Sequence, residues 1–129
     1  MIAECYLIEP FTCKKEDKIS EVAKRLKKYA QRHIYVIDND NKPVGIISVT
    51  DILDKIVIAG KNAAEFKAKD IMNTGIIVHD DHDEVKVAYK EMVDKGVVSC
   101  VVTQKGKIIG SLSLKEAVQQ ITNPDNVLK

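Results

Sequence analysis

Two periodicities share this chain. Val22, Ala23, Leu26 and Tyr29 fall three and four apart, with Lys24, Lys27 and Lys28 on the other side, which predicts an amphipathic helix. Ser20 stands where an N-cap hydroxyl would accept from an orphaned backbone N–H. Short apolar runs of β type flank it, at Ile8–Cys13, Ile34–Asp38 and Val44–Ser48, the last two joined by the turn-rich Asp38-Asn39-Asp40-Asn41-Lys42-Pro43. Thr50 is then placed to cap a helix bearing Ile52, Leu53, Ile56 and Val57, stopping near Gly60.

The same order returns further on. Ile76-Ile77-Val78 reads as a short strand, Glu84–Lys95 as a helix burying Val85, Ala88 and Met92 and ended by Gly96. Val97–Thr103 and Lys107–Ser113 read as strands joined by Gln104-Lys105-Gly106. A last helix uses Ala117, Val118 and Ile121 and stops before Pro124. Gly45-Ile46-Ile47-Ser48-Val49-Thr50-Asp51 thus has a counterpart 65 residues later in Gly110-Ser111-Leu112-Ser113-Leu114-Lys115-Glu116. Aligning Asp17-Lys18-Ile19 with Asp83-Glu84-Val85 needs 66, so the second hairpin turn has lost one residue, where loops tolerate deletion. An internal repeat of this kind sets the architecture. The expectation is an α+β (α/β-like) fold of two β-α-β-β-α repeats, residues 1–62 and 63–129. Their sheets would pack face to face about a pseudo-two-fold axis, since neither covers its own apolar face.

Composition narrows the function classes. With 45% hydrophobic and 30% charged residues in 129, the chain suits a globular domain able to bury about two-thirds of its unfolded surface. A net charge of +1, no tryptophan and 5% aromatic residues argue against nucleic-acid binding. No apolar run approaches the roughly 20 residues of a membrane span, and the first residues lack the features of a signal peptide. A cytoplasmic location is expected. Cys5, Cys13 and Cys100 are odd in number and lack CxxC spacing, so no disulfide framework is expected. Cys100 reads as a small core residue.

These features resemble a tandem pair of cystathionine-β-synthase (CBS) domains, often called a Bateman module, over essentially the whole chain. The resemblance rests on Lys69-Asp70-Ile71-Met72, on the Ser20-Glu21-Val22-Ala23 helix start, and above all on the stretch from Gly45 to Leu53. The last fits the family's ligand pattern of glycine, apolar, any, Ser/Thr, two of any, then Asp or Asn. The resemblance implies a non-enzymatic regulatory protein binding AMP, ADP, ATP or S-adenosylmethionine in the cleft between repeats. It implies a homodimer formed through helices, with an exposed apolar face near Ile56 and Val57, and a regulated partner protein. It assigns Asp51 to the ribose and Ser48 and Thr50 to ribose or phosphate, with Ile34, Tyr35, Ile47 and His33 around the base. Chemically, a carboxylate accepts both ribose hydroxyls, and a helix N-terminus with two hydroxyl residues favours an anion. Tyr35 fits either a stacking or a core role, and His33 either ligand contact or a satisfied strand end. Thr50-Asp51 is also a good helix start without any ligand, which leaves a nucleotide-independent interaction scaffold as the alternative. In the second copy Lys115 and Glu116 stand in place of the threonine and aspartate, so Ser113, Lys115 and Glu116 form a degenerate site. Lys115 either neutralises a phosphate or is a solvated lysine.

His79-Asp80-Asp81-His82-Asp83 has metal-ligand residue types. It falls at a strand-to-helix turn, and five adjacent ligands cannot converge on one ion, so no metal is assigned. No P-loop, dinucleotide fingerprint or catalytic triad is present.

Overall fold

In the computed structural model, which describes residues 1–122, the chain divides into two compact units whose boundaries are not those of the sequence repeats. Phe11–Ile76 forms one unit; Met1–Pro10 joins the chain from Ile77 onward to form the other.

The unit of residues 11–76 has a three-stranded sheet in the order β1 (Thr12–Lys14), β2 (His33–Ile37), β3 (Pro43–Ser48). β1 runs parallel to β2, and β3 returns antiparallel. The hairpin turn is tied by Asp38 Oδ1, which accepts from Asp40 N (2.8 Å) and Lys42 N (3.0 Å). α1 (Ile19–Lys28) lays Ile19, Val22 and Leu26 on the core with Ile34, Val36 and Ile47 of the sheet. α2 (Val49–Ile52) runs straight into a π-helical turn, Leu53–Val57, and only Ile56 of that turn is buried. The short α3 (Ala68–Ile71) closes the core with Ala68 and Ile71.

Ser20 is not the cap of α1. The helix starts after Lys18, which makes no side-chain cap, and its first N–H groups are met by backbone: Ile19 N donates to Phe66 O (2.9 Å) and Ser20 N to Ala63 O (3.2 Å). A carbonyl from more than 40 residues away does what a local hydroxyl was expected to do. Glu16 accepts from Lys67 Nζ (2.6 Å) and Lys69 Nζ (3.0 Å), and these two ammonium groups hold its carboxyl down to about 2.

The other unit repeats the plan with β4 (Val78–Asp80), β5 (Ser99–Gln104), β6 (Lys107–Ser113), α4 (Val85–Lys95) and α5 (Leu114–Thr122). Gly96 ends α4 with φ 66°, the left-handed cap a glycine adopts freely. Its core joins Ala88, Met92, Cys100, Val102 and Leu112 to Ile2 from the start of the chain. Ile2 N donates to Asp83 O (2.9 Å) and Ala3 N to Asp81 O (2.8 Å). In the first unit Ala68 N and Lys69 N make the equivalent bonds to Asp17 O (2.8 Å) and Lys15 O (3.0 Å). The run Ile8–Cys13 is therefore not one strand. Ile8 bridges to Ser111 in one unit, and Thr12–Lys14 is β1 of the other. The start of β4 is displaced two residues from the expected Ile76, and β5 runs Ser99–Gln104 rather than Val97–Thr103. Val118 is 37% exposed rather than core, and the expected stop at Pro124 lies outside the described residues.

Gly45 and Gly110 share one purpose. A Cβ on Gly45 would lie 2.8 Å from Met72 Sδ and 3.0 Å from Asn73 O; on Gly110 it would lie 2.9 Å from Leu7 Cβ and 3.0 Å from Ile8 O. Each glycine lets an incoming segment cross its strand at backbone distance.

Cys13 and Cys100 are each 1% exposed, and burial pushes both thiols up to about 12. Cys5 is half-buried, and burial raises its thiol as well, with Glu116 adding to the effect. A thiol reagent is expected to modify Cys5 slowly in the folded protein and to reach Cys13 and Cys100 only after unfolding. Timed labelling with and without denaturant checks this.

Candidate functional site

β3 ends where α2 begins, and the join is a capping box. Ser48 Oγ accepts from Asp51 N (3.0 Å) while Asp51 Oδ2 accepts from Ser48 N (2.9 Å). Ser48, not Thr50, is thus the N-cap; Thr50 is a first-turn residue exposed to solvent. A β-conformation at Ser48 (φ −103°, ψ 161°) is what an N-cap needs, and strand β3 supplies it directly. Val49 N is held by Arg32 O (2.9 Å), which ties the start of β2 to the same corner.

The second carboxylate oxygen, Asp51 Oδ1, lies 3.8 Å from Lys55 Nζ, an ion-pair contact too long for a hydrogen bond. Lys55 Nζ instead donates to Ile71 O at 2.9 Å, at the end of α3. Lys55 was not among the sequence candidates, although its position four residues after an aspartate on a helix is a legible signal.

The base-side candidates divide by strand alternation. Ile34 (1% exposed) and Ile47 (0%) pair across β2 and β3 and belong to the hydrophobic core. His33 and Tyr35 lie on the opposite face of the same sheet, their rings edge to face at 5.8 Å. Tyr35 is buried and pairs with Ile46. His33 pairs with Ser48, so its backbone adjoins the cap; partial burial lowers its pKa. Ser48, Thr50, Asp51 and His33 therefore share one corner, while the side chains of Ile34 and Ile47 point into the core.

The second corner is built differently. Ser113 Oγ accepts from Glu116 N (3.0 Å), so the N-cap is kept. The Glu116 carboxylate, one methylene longer, does not return to the cap. Its Oε2 accepts from Tyr6 N (3.1 Å) and from Gln120 Nε2 (2.9 Å). Glu116, the counterpart of Asp51, is thus used to pin the leading segment of the chain. Lys115 stands beside an apolar groove of about 710 Å³ with Val98, Leu114 and Val118. A corresponding groove of about 340 Å³ in the first unit is lined by Leu26, Ala30, Val49, Ile52 and Leu53. Both grooves are apolar, and the carboxylate oxygens of Asp51 and Glu116 line neither.

In the five-residue acidic and histidine run, His79 is buried and bonded at both ring nitrogens, Nδ1 to Asp83 Oδ2 (3.0 Å) and Nε2 to Glu91 Oε2 (2.9 Å). No helix among the described residues is long and apolar enough to cross a membrane.

A doubled three-stranded unit with a Ser–x–x–Asp corner defines a class of protein, and sequence comparison agrees. The profile of the CBS domain matches residues 4–58 and again 68–123, and the chain belongs to that family. An uncharacterized protein of Methanopyrus kandleri is 33% identical over 100 residues, 77% of this chain and 51% of that protein. The chain thus spans about half the length of the curated relative it matches. Among solved structures, a CBS domain protein of Pyrobaculum aerophilum complexed with AMP is 26% identical, with a TM-score of 0.74 over 98% of this chain and 95% of that one. The CBS domain pair of protein MJ0100, in complex with 5′-methylthioadenosine and S-adenosyl-L-methionine, shares the fold at 20% identity. Its TM-score is 0.71 over 94% of each chain.

Proposed function

We propose that this chain is a regulatory CBS pair that binds one adenosine nucleotide, AMP, ADP or ATP, at the corner of Ser48, Thr50 and Asp51. The observation that carries the reading is the difference between the two corners. The Oδ1 of Asp51 makes an ion-pair contact with Lys55 at 3.8 Å, beyond hydrogen-bond distance, whereas Glu116 is committed to Tyr6 and Gln120. The adenosine ligands of the similar Pyrobaculum and MJ0100 structures support the ligand class. On this reading Asp51 accepts the ribose hydroxyls, the exposed Thr50 faces ribose or phosphate, and His33 and Tyr35 lie on the base side. Ile34 and Ile47 contribute backbone only. The protein acts by binding and not by catalysis, and signalling requires that the nucleotide favour one of two states of the protein or its assembly.

The capping box favours a second reading. Ser48 and Asp51 satisfy each other without any ligand, as a nucleotide-independent scaffold would require. Calorimetric titration with AMP, ADP, ATP and S-adenosylmethionine separates the two. About one micromolar site per chain supports the sensor; no heat and an unchanged melting temperature at saturating ligand support the scaffold.

The reading includes a homodimer. Ile56 is 2% exposed and belongs to the core, so it cannot serve as the interface residue expected of it. Leu53, Val57 and Ile58 are 48%, 60% and 75% exposed, and Leu53 lines the apolar groove of α1 and α2. Sedimentation is expected to show a dimer for the native chain and a monomer for Leu53→Lys, a charge in the middle of an apolar contact.

A further inference from the structure

The turn from β4 into α4 carries Asp80, Asp81 and His82, where the first unit carries Lys14, Lys15 and Glu16. The same backbone bonds build both turns. Asp81 N donates to Thr103 O (2.9 Å) as Lys15 N does to Ile37 O (3.2 Å), and Asp83 N to Asp80 O (3.0 Å) as Asp17 N does to Lys14 O (3.0 Å). Two lysines make this turn as well as two aspartates do, so the fold does not account for the acids.

Asp81 is nevertheless only 4% exposed. Its Oδ2 accepts from Gln104 Nε2 at 3.1 Å, but its Oδ1 is buried with no hydrogen-bond partner. A buried acceptor left without a donor is destabilising, more so when charged, and points to an ion or a water. Oδ1 faces His82 Nδ1 at 2.8 Å. The same ring nitrogen lies 2.9 Å from Asp80 Oδ1 and is aligned to hydrogen-bond there, so its one N–H cannot also serve Asp81. Two carboxylate oxygens therefore converge on one imidazole nitrogen, all three atoms within 4.8 Å of one another. Tetrahedral ligands of one zinc ion lie about 3.4 Å apart, so the two nitrogen–oxygen contacts, at 2.9 and 2.8 Å, need open by only about half an ångström to admit the ion. The neighbouring His79 is committed to Asp83 and to Glu91, so the run of five resolves into a structural pair, His79 and Asp83, and a trio.

We propose that Asp80, Asp81 and His82 form a divalent-cation site, with one nitrogen and two oxygen ligands replacing a ring proton by a metal ion. The ligand set suits Zn²⁺, because imidazole is a poor ligand for Mg²⁺ or Ca²⁺. The His82 side chain is 75% exposed, which leaves the remaining positions to water or to a ligand from a partner. The site is independent of the nucleotide corner.

The test is calorimetric titration of the full chain with ZnCl₂, with Cys5→Ser as background so that the one half-buried thiol does not compete. The expected result is one ion per chain at micromolar affinity with a raised melting temperature. His82→Ala should weaken binding at least about tenfold, and Asp81→Asn likewise. The exposed His82 ring is not part of the core, so His82→Ala should stay folded without metal, its melting temperature lowered only by the loss of the ring's contacts with Asp80 and Asp81. Absence of zinc binding in the parent up to millimolar concentration, or unchanged affinity in both variants, would overturn the proposal.

Discussion

Asp51→Ala is expected to lower nucleotide affinity by about 100-fold or more. Each hydrogen bond from a ribose hydroxyl to a charged carboxylate contributes about 1.5–3 kcal/mol, and the variant removes two. A tenfold loss corresponds to about 1.4 kcal/mol, so even the lower figure for both bonds gives two decades. The fold should survive. The variant forfeits one arm of the capping box, with Ser48 Oγ still accepting from the backbone, and a loose contact with Lys55. The cost to stability should be about 1 kcal/mol or less. Glu116→Ala is the matching control. It should leave nucleotide affinity unchanged and lower the melting temperature, because it unpins Tyr6. Equal nucleotide affinity for Asp51→Ala and the native chain would place the nucleotide elsewhere and leave the capping box a helix start only.

Gly110→Ala should be the more damaging of the two glycine substitutions. Its new methyl would meet Leu7 Cβ at 2.9 Å and Ile8 O at 3.0 Å, atoms fixed to the backbone of a segment held by the Ile8–Ser111 bridge. Overpacking of this kind costs about 1–3 kcal/mol. At Gly45 the nearest atoms are Met72 Sδ and Cγ, part of a flexible side chain that can turn aside, with Asn73 O again at 3.0 Å. Gly45→Ala should therefore lose less. Thermal unfolding of both variants checks the order; Gly45→Ala proving the worse would mean that the incoming segments are not held as described.

The elements with strong local patterns were legible. β6 spans the expected Lys107–Ser113, α4 ends at Gly96, and the hairpin turns lie where Asp38–Pro43 and Gln104–Gly106 predicted them. The failures share a cause. Ser20 has the chemistry of a cap, but the carbonyls of Ala63 and Phe66 arrive first. Ile8–Cys13 has the composition of one strand, yet its two ends belong to different units. Ile56 is expected on an exposed helical face, yet it packs into the core with Ile34, Ile47 and Ile71. In each case a contact distant in sequence overrides a local preference. At the site, the Ser48-to-Asp51 spacing could be read directly, because a capping box is local. The use of Glu116 to hold Tyr6 could not, since it joins residues 110 apart.

The exchange of leading segments also gives the chain an order of assembly. Everything the unit of residues 11–76 needs is contiguous, including Ala68 and Ile71 for its core. The other unit must recover Ile2 across more than 80 residues to meet Asp83. Loop closure makes that contact the entropically later one. Ile2, Leu7 and Ile8 are accordingly expected to meet their partners only after the middle of the chain has folded. A break at residue 62 would therefore release two fragments, each lacking part of its own core, rather than two domains.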